Sequence, residues 1–222
     1  RLSDADKKKG VIAASAGNHA QGVALAAQKL GVRATIVMPE TTPEIKVQSV
    51  AKWRPEIILQ GDDFQEAYAH AMEICADRNL TFVHPFDDPD VIAGQGTVGM
   101  EILRQHMGDI HAIFIPVGGG GLLAGIGAYV KAVRPEVKII GVEPEDAASL
   151  YQSLKKKRRV TLNQVGIFAD GVAVATVGKE TFRIARQVVD DMVLASVDEI
   201  CAAIKDIFDD TRSIAEPAGA LA

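Results

Sequence analysis

Four stretches of this 222-residue chain, "GVIAA" (10–14), "ATIVM" (34–38), "AIFIPV" (112–117) and "KIIGVE" (138–143), are continuously apolar rather than alternating. Runs of this kind suit strands covered on both faces, as in parallel sheets. Between them lie longer stretches whose apolar residues recur at helical spacing. Short β-branched runs alternating with amphipathic helices are the pattern of an α/β fold with right-handed crossovers. The pattern predicts strands near 10–14, 33–38, 56–60, 81–84, 112–117, 137–143 and 192–196. It predicts helices near 18–30, 44–53, 63–78, 94–106, 121–133, 146–156, 179–189 and 197–210. The segment "FVHPFDDPDVIAGQGT" (82–97), rich in Pro, Asp and Gly, reads as a boundary between a small lobe over 10–85 and a large lobe over 86–222.

Composition narrows the class of partner. With 48% hydrophobic and 24% charged residues the chain can build a sizeable core. A net charge of -5 argues against nucleic acid or an anionic membrane, both of which need a basic face. A small molecule is then the expected ligand. The basic run Lys155 to Arg159 reads as a solvated helix end. Cys75 and Cys201 have no metal or redox spacing and read as reduced and structural. No run approaches 18 apolar residues and "RLSDADKKKG" is no apolar leader, so the expected location is cytoplasmic. The chain opens on Arg1 and closes on "EPAGALA", which resembles the first turn of a helix; both ends look cut.

Two strand-to-helix junctions carry the chemistry. In "PVGGGGLLAG" (116–125) four successive glycines precede a helix, and their backbone N–H groups can surround an anion such as phosphate. One or two glycines would suffice for a tight turn. The same junction also fits a dinucleotide fingerprint, Gly119-x-Gly121-x-x-Ala124, with Glu143 ending the next strand as a ribose contact. In "SAGNHAQG" (15–22), Ser15 offers a hydroxyl, Gly17 a bare N–H and Asn18 both a donor and an acceptor at a helix start. That loop suits a carboxylate, although Ser15 as a helix cap and His19 as a satisfied polar residue would account for it equally. Together the junctions suggest a cleft holding a phosphate at one side and an amino-acid carboxylate at the other.

In order and spacing, "SAGNHAQG", "VIAGQGT", "PVGGGGL" and "FADGVAV" resemble the threonine dehydratases (threonine ammonia-lyases), pyridoxal-phosphate enzymes of the two-lobed tryptophan-synthase-β-like fold. The likeness runs along nearly the whole chain. It implies that Gly118, Gly119, Gly120, Gly121 and Leu122 bind the cofactor phosphate and that Asn18 bonds the ring 3-hydroxyl. Ser15, Ala16, Gly17 and His19 would receive the substrate carboxylate, with Gln95 facing the substrate and Asp170 and Gly171 near the ring edge. The implied reaction converts threonine, and also serine, to 2-oxobutanoate or pyruvate and ammonia, the first step towards isoleucine. A homo-oligomer, a tetramer by resemblance, is implied as well.

Departures from the family pattern shape the expectation. The Schiff-base lysine of the family sits in a Ser-x-Lys-x-Arg-Gly-Ala stretch that does not occur here, so it is expected upstream of Arg1. The serine stretch that meets the pyridine nitrogen and the carboxy-terminal regulatory domain are missing too. An isolated 222-residue piece is therefore expected to be inactive, and a catalytically silent cofactor-binding fragment is the non-enzyme alternative. Serine racemases, serine dehydratases and cysteine-synthase relatives are the alternatives within this fold. Ala16 stands where racemases carry a serine, and Gly166 where racemase-like members carry a metal-binding glutamate, so elimination without a metal is expected. "GVAVATVGKETFR" looks closer to the biosynthetic than to the catabolic type. In "KWRPEIIL" the family usually has glycine before the strand, and Trp53 and Pro55 have no functional reading.

Overall fold

In β1 (Val11–Ala14) and β2 (Ala34–Met38) every residue is buried, because helices cover both faces. Side chains alternate across a strand. Ile12, Ala14 and Val37 accordingly join Ala67, Ala71 and Ile74 of α4 (Phe64–Asp77). Ala13, Ile36 and Met38 join Ala20 and Ala24 of α2 (Asn18–Leu30) and Val50 of α3 (Glu44–Ala51) on the opposite face. These contacts belong to a computed structural model describing residues 2–222. It divides into one compact unit ending at Pro85 and another beginning at Phe86.

The first unit has one parallel sheet ordered β3-β2-β1-β4, with β3 at Glu56–Leu59 and β4 at Thr81–Phe82. A short helix, α1 (Asp4–Lys9), precedes it and was not predicted, since it buries no residue. It rests on a Ser3 cap and on Lys7–Asp4 and Lys9–Asp6 ion pairs, which carry no periodic apolar signal. Trp53 packs partly buried against the α2–α3 side of the core. Arg54 beside it has φ of 60°, the left-handed conformation that glycine adopts most readily.

The second unit contains α5 (Pro89–Gln105), β5 (Ala112–Pro116), α6 (Gly121–Val133), β6 (Lys138–Pro144), α7 (Ser149–Lys156), α8 (Lys179–Val188), β7 (Asp191–Ala195) and α9 (Val197–Thr211). Its parallel sheet is ordered β5-β6-β7. Single 3-10 turns at Glu145–Ala147 and Asp170–Val172 complete it. The α/β class read from the sequence is the observed one, with parallel pairing throughout both sheets. Two boundaries differ. Helix α5 begins at Pro89 rather than near 94, because Asp88 accepts from the N–H groups of Asp90 and Val91 and proline is at home in a first turn. The predicted helix from 146 is a 3-10 turn followed by α7.

Helices α5 and α6 cross at glycines. A Cβ at Gly96 would stand 3.1 Å from the Gly125 carbonyl oxygen, and one at Gly125 would stand 2.6 Å from the Gly96 nitrogen. Gly99 faces Ile126 and Val130 in the same seam. This close approach fixes the base of α6, whose first turn forms the glycine junction.

Candidate functional site

In the second unit, Val117 continues the β5 ladder to Val142, and the chain then turns through glycines 118–120 into α6. Gly120 has φ of 88°, a conformation that strains other residues. The glycines also answer to their neighbours. A Cβ at Gly118 would meet the Val172 Cα at 3.0 Å, one at Gly120 would meet the Thr181 side chain at 3.1 Å, and one at Gly121 would meet the Phe86 Cβ at 3.0 Å. A Cβ at Gly119 would overlap the Phe86 ring. Thus close packing on three sides explains why four are needed where a turn needs one.

The backbone N–H groups of residues 118–123 donate to no acceptor among the described residues, although most of these residues are buried. Buried donors are normally paired. Six free donors at the positive end of α6 form a cradle complementary to a phosphate dianion, so the residues present fit such a group. Leu122 is half-buried and packs against the core of this unit. The Asp170–Val172 turn also belongs to this region, since Val172 and Val174 press on Gly118. Gln95 lies half-buried on α5, one residue before the Gly96–Gly125 crossing.

The first unit assembles the other junction. Ser15 continues the β1–β2 ladder by donating its N–H to the Val37 carbonyl. Its hydroxyl then accepts from Gly17 N–H at 3.2 Å, so Ser15 shapes the loop, while Gly17 is the residue that caps α2. Ala16 turns its methyl towards the core of that face. The N–H groups of Ala16, Asn18, His19 and Ala20 have no acceptor among the described residues, and the exposed Asn18 amide has no partner there either. The His19 Nε2 lies 3.0 Å from the Val83 carbonyl, which can only accept, so Nε2 carries the proton. Burial pushes the His19 pKa down, outweighing the Val83 bond, and the ring is neutral at pH 7. Its side chain pins the loop to the end of β4, and its backbone N–H joins the free set.

Glu143 does not have the role that a dinucleotide site would give it. Its side chain is fully buried, and its oxygens accept from Leu150 N–H at 2.8 Å and Tyr151 N–H at 2.7 Å. The carboxyl group caps α7 from the end of β6. Burial pushes its pKa up to about 7. Cys201 corrects a second expectation: it is exposed on α9, whereas half-buried Cys75 donates to the Leu80 carbonyl. Gly166 N–H bonds the Asp146 carbonyl, and a Cβ there would overlap the Asp146 carboxyl group. Among the described residues no cluster of three His, Cys, Asp or Glu side chains could hold a metal, and no helix is long and apolar enough to cross a membrane.

Sequence reasoning missed Phe86, which packs on the glycine loop, Thr181, which bonds to it, and Asp87, which bonds the first turn of the helix that carries Thr181. The "HPFDD" stretch was read only as a boundary. The signal was its doubled aspartate, of which the helix starting at Pro89 needs only one.

The family described as "Pyridoxal-phosphate dependent enzyme" matches residues 1–222. The biosynthetic L-threonine dehydratase of Burkholderia multivorans is 60% identical over 217 residues, covering 96% of this chain and 43% of that protein. The processed threonine deaminase isoform 2 of Solanum lycopersicum superposes with a TM-score of 0.96 at 54% identity, over 100% of this chain and 64% of that one. Maize serine racemase superposes with a TM-score of 0.94 at 33% identity, over 99% and 66%. The chain spans about two-fifths of the length of the curated relatives it matches, from 36% for the Arabidopsis thaliana relative to 43%.

Proposed function

Since the chain belongs to the pyridoxal-phosphate dependent enzymes, we propose that it is the cofactor- and substrate-binding part of a threonine dehydratase, which deaminates L-threonine to 2-oxobutanoate and ammonia and acts on L-serine in the same way. The observation that carries this reading is the buried run of free N–H groups at residues 118–123, a built receptor for the phosphate of pyridoxal phosphate. The names of the relatives supply the substrate class.

When bound, pyridoxal phosphate supplies an electron sink for the carbanion formed at the substrate α-carbon. The residues of this chain bind and orient. Gly118, Gly119, Gly120, Gly121 and Leu122 hold the phosphate through backbone N–H groups. Asn18, whose amide has no hydrogen-bond partner among the described residues, is assigned to the ring 3-hydroxyl. The N–H groups of Ala16, Asn18, His19 and Ala20, at the positive end of α2, receive a carboxylate, and Ser15 keeps its hydroxyl proton for a further bond. Gln95 is assigned to the substrate side. His19 is neutral and its N–H is engaged by Val83, so it anchors the loop rather than relaying protons. Removal of the α-proton is assigned to none of the residues 1–222.

The absence of a hydroxyl at Ala16 favours elimination over racemisation, which needs a second acid on the opposite face. That separates this reading from a serine racemase, whose fold is similar. The acidic net charge supports a small-molecule enzyme over a nucleic-acid binder, and the protein is assigned here as a cytoplasmic homotetramer acting towards isoleucine. The test is incubation of the full-length protein and pyridoxal phosphate with L-threonine and L-serine. Production of 2-oxobutanoate and pyruvate supports dehydration; accumulation of D-serine without keto acid would replace it with racemisation.

A further inference from the structure

The direction of the free N–H groups depends on the direction of the peptide carbonyls between them. In a trans peptide the carbonyl of one residue and the N–H of the next point opposite ways. Anchoring the Gly119 carbonyl therefore aims the Gly120 N–H. That carbonyl accepts two bonds, from Thr181 Oγ at 2.8 Å and from Gly178 N–H at 3.3 Å. Thr181 is 1% exposed, so water does not substitute for its hydroxyl.

Both donors belong to the start of α8, and that helix has no cap of its own, because its N-cap residue is Gly178. The cap comes from the other end of the unit. The Asp87 carboxylate accepts from Lys179 N–H at 2.8 Å, Glu180 N–H at 2.8 Å and Thr181 N–H at 3.3 Å. A Cβ at Gly178 would overlap this carboxyl group, so the glycine lets Asp87 reach the helix. Phe86, one residue earlier, lies against Gly119 and Gly121.

Resting on the phosphate-loop reading above, we infer that Asp87 and Thr181 are positioning residues for that loop: Asp87 fixes the first turn of α8, and Thr181 turns the Gly119 carbonyl away so that the Gly120 N–H faces the anion. The pair acts on phosphate recognition and on nothing else in the cofactor. Pyridoxal, which lacks the phosphate, is the control that separates this role from general support of the fold.

The experiment measures dissociation constants of pyridoxal phosphate and pyridoxal for the full-length apo-protein and for Thr181→Val, Thr181→Ser and Asp87→Ala. Loss of one buried hydrogen bond predicts that Thr181→Val binds pyridoxal phosphate about tenfold more weakly while pyridoxal binding is unchanged. Thr181→Ser, which keeps the hydroxyl, restores the wild-type ratio, and Asp87→Ala shifts it in the same direction as Thr181→Val. Because threonine and valine are close in shape, the Thr181 pair decides the matter even if Asp87→Ala folds poorly. Equal weakening of both compounds by Thr181→Val would overturn the inference, leaving Thr181 a structural residue. A wild-type protein that binds both compounds equally would overturn the phosphate-loop reading itself, and this inference with it.

Discussion

Asp87 and Asp88 are adjacent in sequence and cap different helices: Asp88 accepts from Asp90 and Val91 at the start of α5, whereas Asp87 accepts from the first turn of α8 some ninety residues later. The two carboxylates thereby tie the segment that follows Pro85 to both helices that flank the glycine junction.

This division of labour predicts separable effects. Asp88→Ala removes an ordinary N-cap and should lower stability by about 1 kcal/mol, read by urea denaturation. The preference for pyridoxal phosphate over pyridoxal should stay at its wild-type value in that variant.

Gly119→Ala places a methyl group into the Phe86 ring. Overpacking of this kind costs about 1–3 kcal/mol, and the loop must shift to relieve it. The expected result is a lower denaturation midpoint together with weaker cofactor binding. Shortening the ring with Phe86→Leu in the same chain should recover part of the stability.

Glu143 gives the protein a pH dependence of unusual sign. Between 4.5, its ordinary value, and about 7 the unfolded chain has released this proton while the folded chain retains it. The unfolded state then binds fewer protons, so the stability linked to Glu143 is complete below the lower value and is lost as pH rises to the upper one. The full loss is about 3 kcal/mol. Glu143→Gln should flatten the stability profile across this window in denaturation curves taken at pH 5, 6, 7 and 8.

His19 behaves in the opposite sense. Burial holds its pKa below 6.5, so the neutral ring's contribution is present above that value and is lost as pH falls, when the unfolded chain takes up the proton first. A two-dimensional NMR titration of the imidazole should show its midpoint below 6.5, with Nε2 protonated throughout the neutral range. A midpoint above that value would contradict the burial of the ring, because the Val83 bond by itself pushes the pKa up.

Ala16→Ser adds a hydroxyl to the loop at the position that distinguishes racemases. On the proposed function, the full-length variant given L-serine should form D-serine alongside pyruvate, whereas the full-length parent should form keto acid without detectable D-serine. Chiral chromatography of the reaction mixture reads this directly.

Local pattern revealed the strands better than their partners. Continuous burial made β1 and β2 legible, because every residue of "VIAA" and "ATIVM" is enclosed. The sheet order β3-β2-β1-β4 was not legible, since pairing depends on crossovers that leave no local mark. The glycine run and "SAGNHAQG" announced themselves through backbone chemistry. Asp87 and Thr181 did not, because their partners lie 93 and 62 residues away and an isolated aspartate or threonine has many uses. The alternative of Glu143 as a ribose contact fails for a related reason: a carboxylate at a strand end suits a ribose, but this one is enclosed by the helix that it caps.

The packing of Phe86, Val172 and Thr181 around the glycines has a bearing on how copies of this gene decay. A descendant that no longer held any ligand would still need bare backbone at those positions to fold, so an intact glycine run would outlive the activity. Asn18 has no such second duty among the described residues: it is exposed and its amide makes no hydrogen bond there. In a lineage released from selection on catalysis, drift should appear first at Asn18, which makes it the better marker of a working gene.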